Sequence, residues 1–210
     1  MERVNIVKRI VDVIAGLVLA VVTLPVVLVL LLGSTVAFRA APLFVQPRLG
    51  RGGSLFQFVK VRTLPVSTPV DADKYALGAI PLGRWGRALR RRHLDELPQL
   101  WLVVFGRMSL VGPRPEMPRL AATFDPDFVS ERTSVRPGCT GLWQISVSVT
   151  RLIGESPEYD LHYVRHRTLR LDAWILARTL ASVVGRPKIS SLREIPSWTG
   201  AAQRPVAALG

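Results

Sequence analysis

Hydrophobic positions along the chain form one long block and several short runs, and the two kinds predict different elements. From Ile10 to Leu32 the sequence is almost wholly apolar, and a helix of about 20 such residues can cross a bilayer. Asp12 lies near its start, Gly16 thins it, and Pro25 follows Thr23 and Leu24 near its middle. Proline removes a backbone hydrogen bond and kinks a helix, and the Thr23 hydroxyl is placed to satisfy a freed carbonyl. Both flanks are basic, with Arg3, Lys8 and Arg9 before the block and Arg39, Arg48 and Arg51 after it. Positive charge marks the cytoplasmic side, so a simple span satisfies one flank only. A helix that enters, breaks at Pro25 and returns to the same face satisfies both. An ordinary single-pass anchor is the plain alternative. The block is longer than the roughly 7–15 apolar residues of a secretory signal, although Thr35 and Ala37 mimic a cleavage site.

The short runs predict a small β element among helices. Leu43–Gln46 and Leu55–Val61 flank Gly50-Arg51-Gly52-Gly53, the pattern of a hairpin around a glycine-rich turn. In the second run Phe56, Phe58, Lys60 and Arg62 share one face, with Val59 and Val61 opposite. Lys60 and Arg62 then belong either to a solvated strand face or to a site. Residues 64–81 carry Pro, Ser and Asp with little periodicity and are expected to form a mobile loop able to lie over a substrate. Gly83 to Arg92 resumes helical spacing with Arg84, Arg87, Arg90 and Arg91, which either hold phosphates or line an anionic membrane surface. Pro98 is tolerated in the first helical turn, which predicts a helix from Leu94–Leu97 through the apolar Leu100–Phe105. Leu169–Val184 is amphipathic and either interfacial or core-packing. From Arg186 onward the chain is polar and proline-bearing, and residues 188–210 are expected to be a disordered tail.

Composition narrows the partners. The length of 210 residues suits one domain, with or without an appendage, and 49% hydrophobic residues with mean hydropathy +0.28 point to membrane contact. A net charge of +13 and pI near 11.3 imply an anionic partner, whether nucleic acid, acidic lipid or a phosphorylated substrate. A lone Cys139 excludes an internal disulfide framework and, with three histidines, argues against structural zinc. Any metal is expected to be a hard cation on oxygen ligands.

Chemistry concentrates at His93-Leu94-Asp95-Glu96-Leu97-Pro98-Gln99-Leu100, directly after Arg90-Arg91-Arg92. At a helix N-terminus, free N–H groups and the dipole favour negative charge. Asp95 and Glu96 are therefore expected to stay ionised, as nucleophile, metal ligand, or simply helix caps. In Gly112-Pro113-Arg114-Pro115 the flanking prolines pre-orient the Arg114 guanidinium for planar, bidentate contact. Val135-Arg136-Pro137-Gly138-Cys139-Thr140-Gly141-Leu142-Trp143-Gln144 adds glycines that permit close backbone approach.

These motifs, with Phe56-x-x-x-Lys60-x-Arg62-Thr63, resemble the bacterial sugar transferases, small monotopic polyprenyl-phosphate sugar-1-phosphate transferases. The resemblance runs from Lys8-Arg9 to about Val184. It implies a mainly α fold with a small β-hairpin, comprising a re-entrant membrane helix (1–38), interfacial amphipathic helices and a compact cytoplasmic catalytic domain (39–187). It implies transfer of a sugar-1-phosphate from a UDP-sugar to membrane polyprenyl phosphate, with undecaprenyl phosphate the expected acceptor and UMP released, at the cytoplasmic face of the inner membrane. Asp95 takes the nucleophile's role and also that of a Mg2+ ligand, with Glu96 supporting. Lys60, Arg62, Arg90, Arg114, Arg136 and Gln144 are the implied substrate contacts. Membrane lipids and possible self-association complete the partners, with no nucleic acid expected. Three departures stand out: Leu102 replaces the usual asparagine, Arg107 the usual aspartate of Gly-Asp-Met-Ser, and Ser146-Val147-Ser148 a common Ser-Gly-Arg. The reading from another class is a non-catalytic basic membrane-surface protein that binds anionic lipid or nucleic acid.

Overall fold

The computed structural model describes residues 2–69, 80 and 82–201. The expected mobile loop therefore falls largely outside the described residues, as do positions 202–210 of the expected tail. Among the described residues the fold is mainly helical, with two small sheets and one long apolar N-terminal helix.

That helix, α1 (Glu2–Phe38), is continuous and contains Pro25, where a break was expected. The Thr23 hydroxyl donates to the Leu19 carbonyl at 2.7 Å, not to the Val21 carbonyl that a proline at position 25 leaves free. One stripe of α1, at Asp12, Gly16, Ala20, Val27, Leu30 and Ser34, is buried, while its other faces expose Ile10, Ile14, Val18, Val22, Val29 and Leu32. Gly16 makes that docking possible: a Cβ there would lie 3.0 Å from Val103 Cγ1. Polar pins reinforce it. Lys8 Nζ meets Asp172 Oδ2 at 2.7 Å, and Ser109 Oγ donates to Asp12 Oδ2 at 2.7 Å. At the other end, the Ser34 hydroxyl donates to the Arg62 carbonyl and receives the Trp85 indole N–H.

The hairpin forms as the pattern predicts, with β1 (Leu43–Leu49) antiparallel to β2 (Leu55–Val61) and Leu43 opposite Val61. Phe56 and Phe58 enter the main core. Val61, on the opposite face, packs with Leu30 of α1 and Leu89 of α2 (Arg84–Arg91). Both faces of β2 are therefore covered at this end, which leaves Lys60 held between packed elements and not on a solvated strand face.

A second sheet was not visible in the sequence. β3 (Ser109–Val111) and β4 (Gly138–Thr140) pair in parallel, with Ser109 opposite Gly138 and Val111 opposite Thr140. Glycine is required at 138, since a Cβ there would collide with the Gly112 backbone. The pairing brings the Arg114 turn and the Arg136 motif side by side. The helices α4 (Pro118–Ala121), α5 (Pro126–Thr133), α6 (Glu158–His166) and α7 (Leu169–Val183) close the domain. In α7, Leu171 and Ile175 are fully buried while Leu180 and Val183 are exposed, so one face packs the core and another stays apolar toward the outside.

The expectation of a disordered tail from residue 188 is corrected for residues 188–201. Ile189, Leu192, Ile195 and Ala201 belong to the core. The Ile189 N–H donates to the Ile145 carbonyl, and its carbonyl accepts from Val147 N–H. Glu194 accepts from the backbone N–H groups of Ser190 and Ser191. Three aliphatic side chains at intervals of three residues give this stretch a buried face, which its Pro and Ser content hides.

Candidate active site

The chain leaves α2 through His93, whose φ of 54° lies in the left-handed region, a conformation that costs about 1–2 kcal/mol outside glycine. This reversal directs Leu94–Glu96 back toward β2. These residues form a tight 3-10 turn, and α3 (Gln99–Val104) begins after Pro98. The helix start expected at Leu94–Leu97 is thus a 3-10 turn feeding the helix. Pro98 has no N–H to bond the Leu94 carbonyl; the Leu97 N–H reaches that carbonyl instead, at 3.4 Å.

Asp95 is buried at 4% exposure. Burial and the adjacent Glu96 push its carboxyl above the ordinary range, against the opposing pull of Lys60 and Arg90. Lys60 and Arg90, and then a backbone N–H, are what favour its charged form against burial. Burial also pushes Glu96 up, but Arg114, Lys60 and His93 together hold it below the ordinary range. Arg114 Nη2 donates to Glu96 Oε1 at 3.3 Å. Burial brings the Lys60 ammonium down to about 8 although Glu96 and Asp95 favour its charge, and Arg90 and Arg114 oppose it. Lys60 also sits 5.3 Å from the centre of the Phe44 ring, its cross-strand neighbour.

The cluster is cation-rich. Arg48, Lys60, Arg90 and Arg114 interact with Asp95, Glu96 and Glu116. Arg90 Nε donates to Thr63 Oγ1 at 2.9 Å, yet its Nη2 is buried with no partner, as is Arg48 Nε. An orphaned buried donor on a charged group is costly, typically about 1–3 kcal/mol or more. Arg90, Lys60, Arg48 and Arg62 line one cavity of about 190 Å3 with Phe44, Thr63 and residues 64–66. Neither carboxylate forms part of that wall, but Lys60 and Arg90, which do, interact with both.

The structure therefore gathers Asp95, Glu96, Lys60, Arg90 and Arg114. Arg62 lines the same cavity, but its guanidinium staples the hairpin base, donating to the Ala41 and Leu43 carbonyls at 2.8 and 3.3 Å. Arg136 lies apart: it lines a different cleft and donates through Nε to the Gly106 carbonyl at 3.0 Å. The Gln144 amide is buried with neither polar atom partnered, and a Cβ on Gly141 would meet its Oε1. Arg48 was missed as a site residue and read only as a flanking charge. Its guanidinium is brought down to about 10 by burial although Glu116 favours the charge, and it bonds Gln46 Oε1 at 2.7 Å and Glu116 Oε2 at 3.5 Å. The signal was strand alternation, since Phe44, Gln46 and Arg48 share a face of β1. Behind Arg114, the Arg132 guanidinium donates to the Arg114 carbonyl at 2.7 Å and pairs with Asp160 at 2.8 Å.

Among the described residues no three His, Cys, Asp or Glu side chains gather as a metal cluster. Asp95 and Glu96 are the carboxylates at this site that could hold a hard cation such as magnesium, which one or two carboxylates suffice to bind when phosphate and water complete its ligands.

This arrangement defines a class: a protein with a long apolar N-terminal helix and an adjacent carboxylate pair, Asp95 buried and Glu96 half-buried, set among arginines and a lysine that border a cavity. Residues 3–186 match the bacterial sugar transferase family, and the chain belongs to it. It is 34% identical over 199 residues to a UDP-galactose-lipid carrier transferase of Erwinia amylovora, covering 85% of this chain and 40% of that protein. It is 34% identical over 190 residues to a UDP-glucose:undecaprenyl-phosphate glucose-1-phosphate transferase of Caulobacter vibrioides, covering 84% of this chain and 69% of that one. A UDP-N-acetylgalactosamine-undecaprenyl-phosphate N-acetylgalactosaminephosphotransferase of Aeromonas hydrophila is 30% identical over 191 residues, 85% of this chain and 44% of its own. The chain thus spans less than half of two of these three relatives.

Proposed function

We propose that the chain transfers a sugar-1-phosphate from a UDP-sugar to polyprenyl phosphate, undecaprenyl phosphate being the acceptor, and releases UMP. The observation that carries this reading is the carboxylate pair of buried Asp95 and half-buried Glu96 among Lys60, Arg90 and Arg114, with an unpartnered Arg90 Nη2, in a chain of the sugar transferase family. A non-catalytic surface binder has no use for carboxylates set among its cations.

In the proposed first step an Asp95 carboxylate oxygen attacks the phosphorus bearing the sugar. The bond from that phosphorus to the bridging oxygen breaks, and UMP leaves with the electron pair. An oxygen of the lipid phosphate then attacks the same phosphorus, and the bond to Asp95 breaks, restoring the carboxylate. Arg90, Lys60 and Arg114 hold the diphosphate and stabilise charge on its oxygens. Glu96, fixed by Arg114, keeps that guanidinium oriented. Magnesium on the Asp95 and Glu96 oxygens would supply further neutralisation of the diphosphate. Because Asp95 is buried, the donor must part Lys60 and Arg90 from it to reach in line.

The helix α1 is proposed to dip into the cytoplasmic leaflet of the inner membrane, bend at Pro25 without losing its helical continuity, and return to the same face. Its buried stripe from Asp12 to Ser34 and its pins at both ends, Lys8 to Asp172 and Ser34 to the Arg62 carbonyl, support this. A spanning helix would have to leave the domain for about 30 Å of hydrocarbon. Cysteines placed at positions 3 and 36 should both resist an impermeant reagent in intact cells, and labelling of either from outside refutes the dip. The native Cys139 will stay silent because it is half-buried and burial pushes its thiol up.

The test of the reaction is release of radiolabelled UMP by the detergent-solubilised chain given a UDP-sugar panel and undecaprenyl phosphate. Acceptor-dependent UMP with at least one sugar is expected, and none with any sugar would reject the proposal.

A further inference from the structure

A basic cleft and an apolar cleft flank the same two elements, away from the carboxylates. The basic cleft is lined by Lys8, Arg9, Arg51, Arg136 and Arg167, with Asp12 as its one acid. Asp12 is already engaged by Ser109 Oγ and by the Leu110 N–H. Arg9 donates to the Val103 and Val104 carbonyls at 2.7 and 3.1 Å, and Arg136 to the Gly106 carbonyl, so two guanidiniums are anchored at the C-terminal end of α3. Burial and then the neighbouring Arg9 and Arg51 hold Arg136 below its ordinary range, which places these cations within reach of one another.

The apolar cleft, about 400 Å3, lies between Leu55, Phe56 and Gln57 of β2 and Leu102, Phe105 and Arg107. Leu55 is 62% and Phe105 71% exposed. The segment Phe105-Gly106-Arg107 links the two clefts: Phe105 and Arg107 line the apolar one, and the Gly106 carbonyl between them takes Arg136, which lines the basic one; the hairpin turn likewise gives Arg51 to the basic cleft and Leu55 to the apolar one. Arg51 and Arg107 are exposed, and their side chains make no hydrogen bond or ion pair among the described residues. On α1 the exposed Ile6, Ile10 and Ile14 bracket Arg9, so the basic cleft opens beside the apolar surface of the membrane helix. Leu102 and Arg107, two of the three departures from the family pattern, both line the apolar cleft. They exchange an amide for an aliphatic chain and an acid for a base.

We propose that this double cleft is a binding site for an anionic membrane phospholipid, its phosphate between Arg9, Arg51, Arg107 and Arg136 and an acyl chain against Leu55, Leu102 and Phe105. Cations beside exposed apolar surface suit a phosphate carried on a hydrocarbon chain, and none of Asp95, Glu96, Lys60, Arg90 or Arg114 lines either cleft. The site is therefore separate from the one proposed for the reaction.

Native mass spectrometry of the full chain released from detergent, titrated with phosphatidylglycerol, tests this. One phosphatidylglycerol should be retained in preference to phosphatidylcholine. Arg51→Gln with Arg107→Gln should weaken it on the order of 30-fold, taking about 1 kcal/mol for each cation near an anionic lipid. Arg186→Gln with Arg193→Gln, the same charge loss elsewhere, should leave it unchanged. If the first double variant melts below wild type, the single Arg107→Gln must still show about a fivefold loss by the same reckoning. Equal weakening by both double variants, no retained phosphatidylglycerol, or one-for-one displacement by equimolar undecaprenyl phosphate would each overturn the proposal, the last by making this the acceptor's site.

Discussion

Replacing Arg132 alone should harm the fold more than replacing it together with its partner. Arg132 and Asp160 are 3% and 1% exposed, joined by contacts of 3.0 and 2.8 Å, and the guanidinium stacks 5.4 Å from the Phe128 ring. Arg132→Met keeps the stack's apolar volume but leaves the Asp160 carboxylate buried without its cation, a loss of about 3–5 kcal/mol. For a chain of this size each kcal/mol moves the melting temperature by about 2–4 °C, so the variant should melt roughly 6–20 °C lower. Asp160→Leu added to Arg132→Met removes the stranded charge. An apolar pair of similar volume is often neutral or better, and only the donor to the Arg114 carbonyl is then missing, worth about 1 kcal/mol. The double variant should therefore melt within a few degrees of wild type. Burial already pushes the Asp160 carboxyl up while Arg132 opposes it; without Arg132 it rises further. The folded single variant then keeps a proton that the unfolded chain sheds above its ordinary value of about 3.9, so its deficit should grow as pH rises from about 5 to 7.5. Thermal unfolding of the four proteins of the cycle, followed by tryptophan fluorescence in detergent, measures all of this. A single variant melting within about 3 °C of wild type, or a double variant as unstable as the single one, would refute the buried-pair argument.

Arg114→Lys keeps the charge but loses the planar fork that reaches Glu96, so kcat/KM should fall clearly with the melting temperature unchanged; an unaltered rate would confine Arg114 to a structural role. With the Lys60 ammonium at about 8, its charge is lost as pH rises through that value. The free-enzyme profile of kcat/KM should therefore fall on that limb, and the fall should vanish in Lys60→Arg; a flat wild-type profile to pH 9.5 would contradict it. Truncation after Pro187 exposes the sites of Ile189, Leu192 and Ile195, each worth about 1.5–3 kcal/mol of burial. That is comparable to a whole domain's stability of about 5–15 kcal/mol, so the 1–187 fragment should not fold cooperatively, and a fragment with the full-length melting temperature would show the segment to be dispensable.

The elements legible in the sequence were those whose signal is local. The apolar block, the Gly50–Gly53 turn between two β-prone runs, and the arginine-bearing Arg84–Arg91 helix each follow from short-range pattern. The β3–β4 pair was hidden because three-residue strands have no periodicity, and their pairing joins positions 29 residues apart, Ser109 and Gly138. The buried face of residues 188–201 was masked by proline and serine between its aliphatic residues. At the site, Asp95 and Glu96 stood out as an acidic pair after arginines. That Lys60, Arg90 and Arg114 face them is a tertiary fact that residue spacing could not supply and that the family resemblance implied. Arg136 carried an equally recognisable motif, yet its guanidinium belongs to another cleft, because a motif fixes the backbone and packing decides where a long side chain points. Arg48 was overlooked for the converse reason: its charge was assigned to the membrane flank before its place on the alternating face of β1 was considered.

The central claim is that Asp95 forms a covalent phosphosugar intermediate, and the most direct measurement is the mass of the quenched enzyme after incubation with UDP-sugar and magnesium in the absence of lipid. The account predicts UMP release up to one equivalent of enzyme and a sugar-phosphate mass increase on the peptide holding Asp95. Both should be lost in Asp95→Asn, which keeps the side chain's size and removes its charge. Adduct formation at another residue, an active Asp95→Asn protein, or UMP release that requires both substrates at once in an active enzyme with no adduct would contradict it.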